Sequence, residues 1–354
     1  MEADSRRTHA LLERISAEER ARLLADVRLL HLPGNVAPWT DGGIRLARGD
    51  RVTFLSAGKV YLSTELDLWA GPRFHLWAKV GEQGTIFNGT RDTYTFESPS
   101  DGPLFLAIYQ GEWASRDGTL ATPVEMYQTC GGGLDVLVIR WKVDPAAGLA
   151  RLRQLAPDDP LLRAESERLA SPVAPPEGWR YLWFLGESEI FRDAEPDGRH
   201  AIAVHADGDV GILRKPLDVE LRPETTLSWR WRISELPSKV AEDTMPTHDY
   251  VSIAAEFDDG RDLTWYWSAA LPVGATYACP LPTWAARETH TVVRSGRAGL
   301  GEWHAERRNV YEEAKRVYGA APRRIVGVWL IAVSLFQHGT LRAEFADITI
   351  GGGP

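Results

Sequence analysis

The stretch GRDLTWYWSAALPVG, Gly260 to Gly274, decides the fold. Successive side chains of a strand point to opposite faces. Here Leu263, Trp265, Trp267 and Ala269 therefore take one side, and Asp262, Thr264, Tyr266 and Ser268 the other. Two neighbouring texts divide the same way. In TLSWRWRI, Leu227, Trp229, Trp231 and Ile233 oppose Thr226, Ser228, Arg230 and Arg232; in YVSIAAEF, Val251, Ile253, Ala255 and Phe257 oppose Tyr250, Ser252, Ala254 and Glu256. Three strands with one wholly apolar face each imply a shared core between sheets, with Trp265 and Trp267 inside it.

Working outward, strand texts recur at HAIAVHAD, HTVVRSG, RRIVGVWLIAV and TLRAEFADITI. One amphipathic helix, at about 303–318, stops at Gly319 before Pro322. Residues 179–354 thus read as a jelly-roll-like sandwich. Upstream, 144–178 is helical in period and then proline-rich, as a connector would be. Residues 31–143 carry short alternating or continuously apolar runs punctuated by Gly, Asp and Pro, the pattern of a second β-sandwich. Residues 1–30 read as a helical segment, in which Ser16 and Glu19 form a capping box and Leu23 and Leu24 supply apolar contacts. The class is mainly β, with two sandwich domains in 354 residues.

Composition narrows the partners. Forty Lys and Arg against 49 Asp and Glu give a net charge of -9, which disfavours phosphate backbones and anionic membranes. No run of about 20 apolar residues occurs, and the charged N-terminus lacks the apolar centre of a secretory signal, so a cytoplasmic setting is expected. Cys130 and Cys279 have no Cys or His at a metal-like spacing and read as plain thiols. Nucleophile elbow, Walker loop, dinucleotide fingerprint and zinc helix are all missing, so neither a cofactor nor a metal is expected.

Two resemblances refine this. LPGNVAPWTDGGIRLARGDRVTFLSAG followed by HLWAKVGEQGTIFNGTRDTYTFESPSDGPLFLAIYQG resembles the galactophilic bacterial lectins of the LecA type, over roughly Leu32 to Trp141. The resemblance implies calcium and sugar held by an Asp, a Thr and an Asn pair after the Ile-Tyr strand. In this sequence those places fall on Gly111, Ser115, Gly118 and Thr119, so a calcium-dependent galactose site is not expected. LSWRWRISELP, YWSAALPVG, VVRSGRAGLGEW, ERRNVYEEAKRVYG and IVGVWLIAVS resemble, in order, the bacterial family catalogued as domain of unknown function 3047. That resemblance implies a jelly-roll sandwich without an established activity. Where the family tends to place acidic residues, this sequence has His248, Asp249 and VSLFQHG.

The polar registers supply the candidate site. Arg230, Arg232, Tyr250, Ser252 and Tyr266 would bind a small molecule, the arginines suiting a carboxylate. Glu256 with His205 or Tyr266 would form an acid and base pair, and Asp249 would orient His248. The leading expectation is binding of a small organic or carbohydrate-like ligand by this face or between the domains. The competing one is a cofactor-independent cyclase, isomerase or dehydratase at the same place. A third is an interaction module docking through the N-terminal helix.

Overall fold

The computed structural model describes residues 2–88, 91–110 and 112–352. The chain is mainly β and forms two compact units, residues 1–172 and 173–354.

In the first unit one sheet has the order Leu24–Pro33, Gly131–Trp141, Arg51–Ser63, Leu68–Ala70, with Thr93–Glu97 also paired to Arg51–Ser63. The facing sheet has the order Trp39–Leu46, Gly102–Ile108, Leu76–Val80, Phe87–Asn88. Between them lies a core that includes Val52, Phe54, Leu106, Val136 and Val138. Within the central strand the run Val136–Ile139 is continuously apolar because both of its faces are covered. Leu137, Ile139 and Trp141 point the other way, into a second cluster with Leu11, Ile15, Leu149, Leu152 and Leu162.

That second cluster corrects two expectations. Pro145–Leu155 and Pro160–Ala170 do not form a connector: they pack on the outer face of this sheet and belong to the first unit. Each starts at an Asp-Pro pair, where Asp144 accepts from the Ala147 amide and Asp159 from those of Leu161 and Leu162. The N-terminal segment is likewise not helical to residue 30. Glu2–Arg14 and Ala17–Leu23 are helices, the second capped by Ser16, and Leu24 opens a strand.

The second unit is a sandwich. Its seven-stranded sheet runs Arg180–Tyr181, Val210–Glu220, Arg324–Val333, Val251–Phe257, Asp262–Ser268, Glu288–Ser295, Thr276–Ala278. Its five-stranded sheet runs Phe191–Ala194, Ala201–Asp207, Thr340–Gly352, Thr225–Glu235, His304–Asn309. Trp229 and Trp231 of the smaller sheet meet Trp265 and Trp267 of the larger one, with ring centroids 6.1 Å and 6.0 Å apart. All four are fully buried core. The indole of Trp265 donates to Glu313 at 2.7 Å, and that of Trp267 to the Gly296 carbonyl at 2.8 Å, so burial leaves neither donor unpaired.

The helix in this unit is shorter than the sequence suggests, Val310–Tyr318. His304–Asn309 is instead an edge strand paired to Thr225–Glu235, and Asn309 caps the helix by accepting from the Glu312 amide. Gly319 ends it in the left-handed region at φ 79°, which a glycine takes without strain.

Candidate functional site

The alternation assigns sides of strands correctly, but not which sheet a strand joins. Thr225–Glu235 lies in the five-stranded sheet, whereas Val251–Phe257 and Asp262–Ser268 lie in the seven-stranded one. Arg230 and Arg232 therefore do not share a face with Tyr250, Ser252, Glu256 and Tyr266. Arg232 pairs with Glu344 at 3.0 Å and Asp197 at 3.2 Å, and both guanidinium groups lie over the ring of Trp303. His205 is also on the smaller sheet, exposed and opposite Arg342; partial burial and the charge of Arg342 lower its pKa. It cannot form a pair with Glu256 or Tyr266.

The outer side of the seven-stranded sheet holds the remaining candidates in two neighbourhoods. Glu256 stands opposite Asp262, and Tyr266 lies four residues further along, about 13 Å at strand rise.

The first neighbourhood is buried. Tyr250 donates to Glu288 at 3.2 Å, and Thr264 bridges Asp262 at 2.9 Å and Glu288 at 3.3 Å. Tyr266 shares a 2.8 Å hydrogen bond with Tyr277, whose strand lies at the sheet edge. Burial and the neighbouring Glu288 push Asp262 well above the usual carboxylate range. Asp249 does not orient His248: its carboxylate accepts from the amides of Phe336 at 2.9 Å and Gln337 at 2.7 Å, tying two loops together. Burial still pushes Asp249 up to about 6. His248 donates Nδ1–H to the Glu242 carbonyl at 2.7 Å, and burial with His290 nearby holds its pKa at about 3. The Glu242 side chain in turn accepts from Ser268 at 2.5 Å and from the Ala269 amide at 2.6 Å. The hydroxyl of Ser252, one oxygen of Asp262 and both ring nitrogens of His290 have no hydrogen-bond partner.

In the second neighbourhood Trp183, Phe184, Trp284, Arg214 and Glu256 are partly exposed, while Trp329 beneath them is buried. Glu256 is paired with Arg214 at 2.6 Å and accepts from the indole of Trp329 at 3.2 Å. Arg214 and Trp329 sit opposite each other on adjacent strands, and Gly327 opposes Glu256. A side chain at Gly327 would run into the Glu256 carboxylate, so glycine is what lets the pair cross the strand. Trp284 meets Trp329 edge-on at 6.2 Å, Phe184 lies 6.1 Å from Trp284, and Trp183 lies 5.6 Å from Phe184. Arg287 lies 3.9 Å over the Trp284 ring. The result is a row of four aromatic rings ending on a charged pair.

Sequence reasoning found Glu256 in this row and missed the rest. Trp183, Phe184 and Trp284 sit in loops with no periodicity to expose them. Glu288 and His290 do alternate in the text ETHTVV, which was the available signal. Cys279 joins His248 and His290 through the fold rather than through spacing.

In the first unit, Gly111 lies outside the described residues. Ser115 and Thr119 both donate their hydroxyls to Asp117, at 2.5 Å and 2.8 Å, and these bonds hold that carboxyl down at about 2. The oxygen groups of this loop thus engage one another.

The fold and site define a two-sandwich protein with an aromatic and charged outer face on its second unit. Residues 177–349 match the profile of a family described as a protein of unknown function, DUF3047. No curated protein matches the chain. Among solved structures, the N-terminal domain of EclA, a PllA-like lectin, is similar at 19% identity over 32% of this chain and 94% of that one, with a TM-score of 0.25. The xyloglucanase domain of NopAA, a type three effector from Sinorhizobium fredii, is similar at 11% identity over 51% of this chain and 95% of that one, TM-score 0.29. An exo-beta-agarase is similar at 10% identity over 52% of this chain and 24% of that one, TM-score 0.24. At these identities and TM-scores none of them says what this chain binds. Among the described residues no helix is long and apolar enough to cross a membrane.

Proposed function

We propose that the second unit binds a small organic or carbohydrate-like molecule on the outer face of its seven-stranded sheet, along Trp183, Phe184, Trp284 and Trp329. The observation that carries this reading is the aromatic row, partly exposed at Trp183, Phe184 and Trp284 and backed by the buried Trp329, that ends on Glu256 and Arg214. Flat rings offer apolar area to the C–H face of a sugar or to an aliphatic ring, while a carboxylate and a guanidinium beside them accept from and donate to hydroxyls. The acid–base alternative pairs Glu256 with His205 or Tyr266; it is less favoured because His205 stands on the other sheet and Tyr266 lies about 13 Å along the neighbouring strand.

The test is calorimetric titration of the full chain with neutral oligosaccharides, sugar acids and simple carboxylic acids, on the unaltered protein and on Trp284→Ala. Covering one ring face removes roughly 80 Å² of apolar area, about 2 kcal/mol at 25 cal/mol per Å². Trp284→Ala should therefore weaken binding roughly 10- to 30-fold. Equal affinity in the two proteins would move the ligand off this face. Catalytic conversion of any binder, with Glu256→Gln inactive yet binding within a few fold, would favour the enzyme reading instead.

A further inference from the structure

The entry to the Val251–Phe257 strand and the two ends of the Pro280–Arg287 loop bring His248, Cys279 and His290 together, with their ligand atoms all within 4.8 Å of one another and every side chain buried. Existing contacts prepare them. Because His248 donates Nδ1–H to the Glu242 carbonyl, its Nε2 carries the lone pair, and that nitrogen faces Cys279 Sγ at 3.5 Å. A tetrahedral site with Zn–N of about 2.1 Å and Zn–S of about 2.3 Å has an N···S edge of about 3.6 Å. His290 is fully buried and stacked on Tyr277; its Nδ1 has no hydrogen-bond partner, and its Nε2 faces Glu288 Oε1 at 3.3 Å without a well-formed hydrogen bond. A carboxylate therefore borders the three ligand atoms.

We propose that His248, Cys279 and His290, with Glu288 as the fourth ligand, bind one Zn²⁺ ion that ties the 242–250 segment to Thr276–Ala278 and Glu288–Ser295, the last two strands at one edge of the seven-stranded sheet. Imidazole and thiolate donors select zinc over the oxygen-seeking magnesium and calcium. One thiolate and one carboxylate neutralise the dication, so the dry site carries no net charge. The thiol proton leaves to solvent as the ion binds. The backbone bond from His248 to Glu242 fixes the ring as an outer support should.

The ion has a consequence for the aromatic face. Cys279 and Glu288 bracket Pro280–Arg287, the loop that carries Trp284 and Arg287, and the Cys279 amide donates to the Glu288 carbonyl at 2.9 Å. Holding both ends of this loop fixes Trp284 before a ligand arrives. That link rests on the binding reading above; the ion itself does not.

The experiment strips the purified full chain with EDTA and titrates it with Zn²⁺ and with Co²⁺. The expected result is one ion per chain, a rise in Tm of about 5 to 10 °C near 100-fold saturation, and a thiolate-to-cobalt charge-transfer band. Cys279→Ser should fold and lose the band and most of the rise, while Cys130→Ser keeps both. No metal-dependent change in the unaltered chain would overturn the site, as would a band that survives in Cys279→Ser. Ligand binding with no metal response sinks the ion alone, and a cobalt band without ligand binding sinks the binding reading alone.

Discussion

Replacing Trp265 by Phe tests how the opening stretch is held. Trp265 is fully buried, and its indole donates to Glu313 Oε2 at 2.7 Å while Arg308 holds Glu313 Oε1 at 2.6 Å. Losing a hydrogen bond to a charged acceptor costs about 1.5 to 3 kcal/mol, and the carboxylate keeps Arg308 as a partner, which favours the lower half of that range. The missing ring leaves roughly 40 Å³, about 1 kcal/mol more at 24 cal/mol per Å³. Trp265→Phe should thus destabilise the second unit by about 3 kcal/mol. Because the chain has two units, the assay is native-state amide exchange read in the Asp262–Ser268 strand, which reports this unit alone. In a cycle with Glu313→Ala, the coupling should be about 2 kcal/mol. Additivity to within 0.5 kcal/mol, roughly the error of such cycles, would refute the claim that this bond anchors the helix to the core.

Two further outcomes are expected. Gly327→Ala should push the Glu256 carboxylate off Arg214 at little cost in stability, because the atoms met are the far ends of flexible side chains, and should weaken ligand binding in calorimetry; an unchanged affinity would mean that the pair does not need to cross that strand. In the first unit, burial holds His75 at about 4, below the ordinary 6.5. The unfolded chain therefore takes up a proton that the native state refuses: stability is complete above pH 6.5 and falls as the pH drops toward 4, by about 3 kcal/mol at most. Urea unfolding of that unit at pH 7 and pH 4.5 measures the loss, and His75→Gln should flatten it.

What was legible in the sequence follows from what periodicity carries. Alternation placed Trp229, Trp231, Trp265, Trp267 and Ile253 on inward faces, and all are buried. It could not say that Arg230 and Tyr266 belong to different sheets, because period 2 fixes the side of a strand and is silent about its neighbours. The unbroken apolar run Val136–Ile139 carried a sign that a second layer would cover its other face, and the Asp-Pro pairs at 144 and 159 marked where the covering helices begin. Trp284 and Phe184 act from loops, and Cys279 meets His248 and His290 only after three segments converge, so no local spacing announces either group.

The central claim is that the outer tryptophans meet the ligand while the inner ones hold the core. It is tested most directly by following the indole N–H resonances of the 14 tryptophans by NMR during a ligand titration. The account predicts shifts at Trp183, Trp284 and Trp329, with Trp229, Trp231, Trp265 and Trp267 nearly unmoved. Shifts confined to the inner four, or to tryptophans of the first unit, would contradict it.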